Sequence, residues 1–322
     1  MKALIVGMGS MGRRRMRLLR QLDIDVIAVD SNPQRLADAK DSAQICCATI
    51  DEALACQPEV AFVCTSPLSH HEIVKKLLEA GVHVFSELNL VNQGYDELIS
   101  IAGAKKLIAF PSSTWLYRKE MQYITSEVGR HGGTCVYTYH IGQYLPDWHP
   151  WESYNSYFIG SAKTNACREI LALELPWLIK AFGPIVEVNS VSRRLTSLNI
   201  DYDDTRMVRV RHESGHIGSL LVDVASPVAI RSLEVVGEKL QIFWAGQPDT
   251  LFAYDPVTGE KRPIKTYDAV SHQSGYASNI IENAYMDEIR AFLSQVEGEA
   301  QPEYTLADDG AVLQWIDEIE GQ

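Results

Sequence analysis

Three glycines stand in the order Gly7-Met8-Gly9-Ser10-Met11-Gly12, directly after a short apolar run and at the head of an amphipathic stretch. A strand, a tight turn and a helix start in that order form a cradle for a diphosphate. Gly7 permits the turn, Gly9 the close approach of the phosphates and Gly12 the packing of helix on strand. Ser10 and Met11 add free backbone N–H groups at the positive end of the helix. Asp30 ends the second apolar run, 18 residues after Gly12. A carboxylate there takes the ribose hydroxyls of NAD and repels the extra phosphate of NADP. The other reading of Asp30 is a cap ahead of Ser31-Asn32-Pro33. Arg35 is near enough to serve a 2′-phosphate, so NADP stays open.

A second concentration of chemistry lies between Tyr139 and Glu152, where two His, two Trp, an Asp and a Glu crowd one segment. Aromatic faces beside hydrogen-bonding groups suit a sugar ring, apolar on its C–H faces and polar at its rim. Within it His149 and Asp147 form a candidate proton-transfer pair and Trp151 a candidate sugar contact. The competing reading is a rigid Pro- and Trp-rich loop packed on a sheet or at an interface. His140, at a strand end, reads equally as a satisfied structural histidine. Lys163 and Asn165 precede a helical stretch and are candidate substrate contacts, as is Tyr117. Glu169 is a candidate for a substrate hydroxyl or its proton, against a first-turn Glu favoured by the helix dipole. Glu174 reads as solvated or at an interface, Arg118 and Lys119 equally as contacts to an anionic group or as a surface cluster, and Asp201, Asp203 and Asp204 as a solvated turn. Carboxylates alone do not make a transition-metal site, and no metal is expected.

These residues need a frame. Apolar runs at 3–6, 26–29, 61–64, 82–85 and 107–110, with amphipathic stretches such as 72–80 between them, predict a doubly wound parallel sheet, a Rossmann domain over 1–118. From 119 to 322 the pattern changes. Period-2 runs at 134–140, 207–212, 219–224 and 240–243, separated by turn residues, predict an α+β domain with an open, mainly antiparallel sheet. Helices are expected over 168–182 and 279–295, with a last one after Pro302.

A formal charge of −13 excludes a phosphate-neutralising nucleic-acid binder and opposes docking on anionic membranes. No apolar run reaches the roughly 20 residues of a membrane span. The opening residues lack a signal peptide's apolar segment, so a cytoplasmic chain is expected. Six scattered cysteines without a C-x-x-C pair read as reduced thiols.

With Thr65-Ser66-Pro67-Leu68-Ser69-His70 and Gly81-Val82-His83-Val84-Phe85-Ser86-Glu87, the chain resembles the Gfo/Idh/MocA oxidoreductases throughout its length. The resemblance implies NAD(P)-dependent oxidation of a sugar, a sugar-derived molecule or a nucleotide sugar. It also implies a homodimer or homotetramer formed through the C-terminal sheet. It assigns Thr65, Ser66, Pro67, His70, Glu87 and Asn89 to the cofactor, beside Gly7, Gly9, Gly12 and Asp30. Three family positions are replaced: Leu88 stands where the motif carries Lys, Asn89 where it carries Pro, and Leu173 where the substrate-domain helix carries the proton-exchanging His. Glu169 falls at that helix's acidic position. The Trp- and His-rich segment resembles loops of members in surface-polysaccharide metabolism. Without the Lys and the His, an NAD-binding protein that performs no redox chemistry is the alternative.

Overall fold

Residues flanked by covering helices on both sides have no need to alternate, and the first strands are apolar along most of their length. In the computed structural model, which describes residues 1–148, 153–273 and 280–321, β1 (Lys2–Val6) leads to α1 (Ser10–Gln21), β2 (Asp25–Val29), α2 (Pro33–Ala39) and β3 (Ile45–Cys47). Then follow α3 (Ile50–Leu54), β4 (Val60–Val63), α4 (His70–Glu79), β5 (His83–Ser86), α5 (Tyr95–Lys105) and β6 (Ala109–Pro111). The six strands are ordered β3-β2-β1-β4-β5-β6 and all pair in parallel. This is the doubly wound order, with its switch point between β1 and β4, where ligands bind beyond the strands' carboxyl ends.

The second part begins with α6 (Lys119–His131), β7 (Val136–Gly142) and α7 (Ala166–Phe182). It continues with β8 (Ile185–Arg193), β9 (Thr205–His212), β10 (Ile217–Asp223), β11 (Ile230–Gly237), β12 (Leu240–Trp244), β13 (Phe252–Asp255) and β14 (Glu260–Pro263). Its eight strands run β14-β13-β12-β11-β7-β10-β9-β8, antiparallel except for the parallel pair β7–β10. Alternation sorts the faces. Tyr137, Tyr139 and Ile141 are buried, with Tyr137 stacked on Phe182 and Tyr139 edge-on to Trp177 of α7. Val136, Thr138 and His140 take the opposite, open face.

The chain ends with α8 (Glu282–Val296) and α9 (Leu306–Glu320). Two units divide the chain: Met1–Ser112 with Met286–Ala311, and Ser113–Tyr285 with Val312–Gln322. In the first, Phe292 meets Phe62, Phe85 and Phe110 edge-on at 5.5 to 5.6 Å. Among the described residues, no helix is long and apolar enough to cross a membrane.

Candidate functional site

The turn between β1 and α1 is built as its glycines require. Gly7 has φ +97°, and a Cβ there would lie 2.7 Å from the Cys64 carbonyl oxygen and 3.1 Å from Thr65 Cγ2. A Cβ on Gly12 would fall 1.8 Å from the Gly7 carbonyl oxygen. One on Gly9 would meet nothing within 4 Å, so the space above the loop is open. Gly9 caps α1, whose first turn starts with Ser10 and Met11 and holds no acidic residue. The positive helix end therefore keeps its pull on an anion.

Asp30 closes the far side. Its Oδ2 accepts the Met8 amide at 2.7 Å and its Oδ1 the Asn32 amide at 2.7 Å. The cap of α2 is Asn32, whose side chain accepts the Gln34 amide, so Asp30 is not the cap. It instead ties the glycine turn to the end of β2, and Arg35 approaches it at 3.8 Å. An open cradle, an uncompensated helix start and a carboxylate at the neighbouring strand end fit a dinucleotide.

Over β4 and β5 most of the expected cofactor contacts are engaged with the protein itself. Ser66 is exposed and the buried Pro67 begins a 3-10 turn, while Thr65 Oγ1 accepts the Ser69 hydroxyl at 2.8 Å. His70 is buried, with Nε2 3.0 Å from the Thr65 carbonyl and Nδ1 2.8 Å from Asn89 Oδ1; burial lowers its pKa. Asn89 is buried too and reaches Asp309 at 3.3 Å. Glu87 is paired by Arg15 at 2.5 Å, a fully buried guanidinium that also binds Glu288 at 2.7 Å and lies 4.4 Å over the Phe85 ring. Ser112 donates to Glu288 at 2.9 Å. Arg13 is exposed as a helix-surface residue should be, but Arg14 is buried. Arg15, Glu288 and Asp309 went unread in the sequence, since each finds its partners hundreds of positions away or on another element.

In the second unit the candidates separate. Asn165 is the N-cap of α7: its Oδ1 accepts the Arg168 amide at 2.8 Å, and its Nδ2 donates to Ala162 and Glu320. Its amide is thus spent within the protein, which corrects its reading as a substrate contact. Tyr117 is buried, Lys163 exposed, and Asp147 exposed in a 3-10 turn. His149 and Trp151 lie outside the described residues. His140 of β7 donates from Nε2 to the Asp223 carboxylate of β10 at 2.7 Å. Glu169 sits half-buried in the first turn of α7, where burial pushes its carboxyl up to about 7.

Three background readings are overturned. Glu174 is fully buried, accepts from Tyr139 at 3.0 Å and Trp177 at 2.7 Å, and pairs with Arg231. Arg118 is buried over Trp115 and paired with Glu120, not part of a surface cluster. Asp204 is buried: burial opposes its ionisation, but hydrogen bonds from Thr196 and Leu195 prevail and hold its pKa low.

Comparison with known proteins follows this geometry. Residues 1–108 match the Gfo/Idh/MocA family model, described as an oxidoreductase family with an NAD-binding Rossmann fold. Over those residues the chain is similar to the NAD-binding domain of that oxidoreductase family. Its whole fold is shared with solved dehydrogenases. An oxidoreductase from Agrobacterium radiobacter, in complex with NAD+, L-tartaric acid and magnesium, superposes with TM-score 0.83 at 11% identity, over 100% of this chain and 96% of the other. UDP-N-acetylglucosamine 3-dehydrogenase from Acidithiobacillus ferrooxidans gives 0.78 at 15% identity, over 100% and 97%. A levoglucosan dehydrogenase in complex with NADH gives 0.81 at 15%, over 100% and 96%. No curated protein matches the sequence.

Proposed function

We propose that the chain is an NAD-dependent dehydrogenase of a sugar, a sugar-derived molecule or a nucleotide sugar, with Glu169 exchanging the proton of the substrate hydroxyl. NAD, when bound, supplies the hydride acceptor. Gly7, Gly9, Ser10, Met11 and Gly12 would hold its diphosphate and Asp30 its adenosine ribose, which favours NAD over NADP. Thr65 and Ser66 would line the nicotinamide half, beyond β4 at the switch point.

The observation that carries the reading is Glu169. A carboxyl whose pKa is near 7 is matched to taking a proton from a carbinol and returning it near neutral pH. Leu173, lacking any titratable group, leaves that task to another side chain. Lys163 would contribute at the approach to α7. The relatives support a sugar-type substrate, since two are named as dehydrogenases of a nucleotide sugar and of levoglucosan.

The open face of the eight-stranded sheet also fits a homodimer or homotetramer contact: Val191, Met207 and Val136 are 64%, 61% and 48% exposed there. Light scattering on the purified protein would give its mass in solution, and a monomer at micromolar concentration would remove that part.

The test of activity is a panel of free sugars, polyols, sugar acids and nucleotide sugars with NAD, followed by absorbance of reduced cofactor. Turnover with one class, lost in Glu169→Gln while NAD still binds, is the expected outcome. The specific observation favouring a non-redox protein is Leu88 beside a Glu87 already neutralised by Arg15. Calorimetric NAD binding without turnover across the panel would choose that reading instead.

A further inference from the structure

We propose that Asp309 is a positioning residue for the nicotinamide half of the dinucleotide site, acting through the side-chain amide of Asn89 and the ring of His70 on the Thr65 carbonyl. The inference rests on NAD binding by the first unit, in which all four residues lie. Asp309, in the first turn of α9, is buried and accepts hydrogen bonds from Tyr95, from Tyr304 at 2.8 Å and from Asn89 at 3.3 Å. Tyr95 belongs to α5, and Asp308 is the charged neighbour on α9. Asn89 meets His70, which meets Thr65, and Ser86 joins the middle of the chain at 3.1 Å from Asn89 and 3.2 Å from His70. Glu87 is the charged group whose field acts on His70, favouring its protonated form. Thr65 lies beside the phosphate turn, its Cγ2 3.1 Å from where a Cβ on Gly7 would stand.

Proton counting along this chain gives the coupling. A neutral imidazole has one N–H, and only Nε2–H can hold the Thr65 carbonyl. Nδ1 must then face a donor. With Asp309 ionised, Asn89 turns its NH2 to the carboxylate and its carbonyl to His70 Nδ1. That draws the single ring proton to Nδ1 and releases Thr65. With Asp309 protonated, its O–H donates to the Asn89 carbonyl, the amide NH2 turns to Nδ1, and Nε2–H holds Thr65. One proton on Asp309 therefore fixes the loop by reversing one amide. Burial raises Asp309 to about 6 and lowers His70, so the switch between the two arrangements falls at the edge of the physiological range.

The sign follows: affinity for the whole dinucleotide falls as pH rises through about 6, while affinity for its adenosine diphosphate ribose part does not. Calorimetry with NAD and with ADP-ribose from pH 5 to 8 measures both. We expect NAD to weaken about tenfold across that range and ADP-ribose by less than about threefold. Asn89→Leu breaks the link and flattens the NAD profile. Asp309→Asn, which keeps a permanent N–H donor toward Asn89, flattens it at the tight, low-pH value and carries the test if Asn89→Leu does not fold. A wild-type pH profile surviving in the folded variants, or parallel losses for NAD and ADP-ribose, would overturn the proposal. No binding of either ligand to the wild type would instead refute the dinucleotide site itself.

Discussion

Gly9 and Gly12, three positions apart, can be told apart by one methyl group each. Adding a Cβ to Gly9 meets nothing in the protein, so Gly9→Ala should leave thermal stability unchanged while filling the space a diphosphate needs. Adding one to Gly12 strikes the Gly7 carbonyl, so Gly12→Ala must displace α1 from β1, at about 1–3 kcal/mol, and should lose both stability and NAD binding. Paired thermal melts and calorimetric titrations check this; equal melting losses in the two variants would contradict it. Glu169 gives the second residue-scale prediction. Oxidation of a hydroxyl needs its carboxylate form, so kcat/KM should rise with pH through about 7 in the wild type. Glu169→Gln should flatten that limb and lower kcat by roughly 10²–10⁴-fold. At this scale the glycine turn was legible because its chemistry is local backbone geometry. The intramolecular partners of His70, Asn89 and Asn165 were not legible, because they lie where no short motif reveals them.

Elements buried on both faces announced themselves: β4 is apolar throughout, and β1 and β2 are apolar after their first residue. β8 and β14 did not, because most of their residues are half-buried or exposed and polar residues fill both faces. The parallel pairing of β7 with β10 has no local signature either, since sequence neighbours favour antiparallel hairpins. Nor does any composition change mark the return of Met286–Ala311 to the first unit. What fixes that return is charge as well as apolar packing: Arg15 of α1 binds Glu87 after β5 and Glu288 of α8. Arg15→Met would leave two buried carboxylates without a cation, at a cost of about 3–5 kcal/mol in urea unfolding. Adding Glu288→Leu removes one of them and should recover part of the loss. If the single variant unfolds at the wild-type urea concentration, the triad does not tie these elements together.

The molecule as a whole holds buried acids and buried histidines whose pH responses oppose each other. Asp309 and Glu169 have folded pKa values of about 6 and about 7, above their ordinary carboxylate range, because burial disfavours the anion. A raised acid gives stability that is complete below the unfolded pKa near 4 and is lost as pH climbs through the folded value. His70, His212 and His216 are lowered by burial, so their contribution is complete above the ordinary histidine range and is lost as pH falls through it. The wild-type profile between pH 4 and 8 is therefore a flattened sum that conceals both. Substitution separates them. Asp309→Asn cannot ionise, so it should match the wild type near pH 4 and exceed it by about 2–3 kcal/mol at pH 8, read from urea unfolding midpoints. Glu169→Gln should show the same sign, with its crossover displaced toward higher pH because its folded value is higher. A gain at acid pH in place of alkaline pH would mean that these carboxyls are stabilised as anions, and the proton chain from Asp309 to Thr65 would lose the burial that drives it.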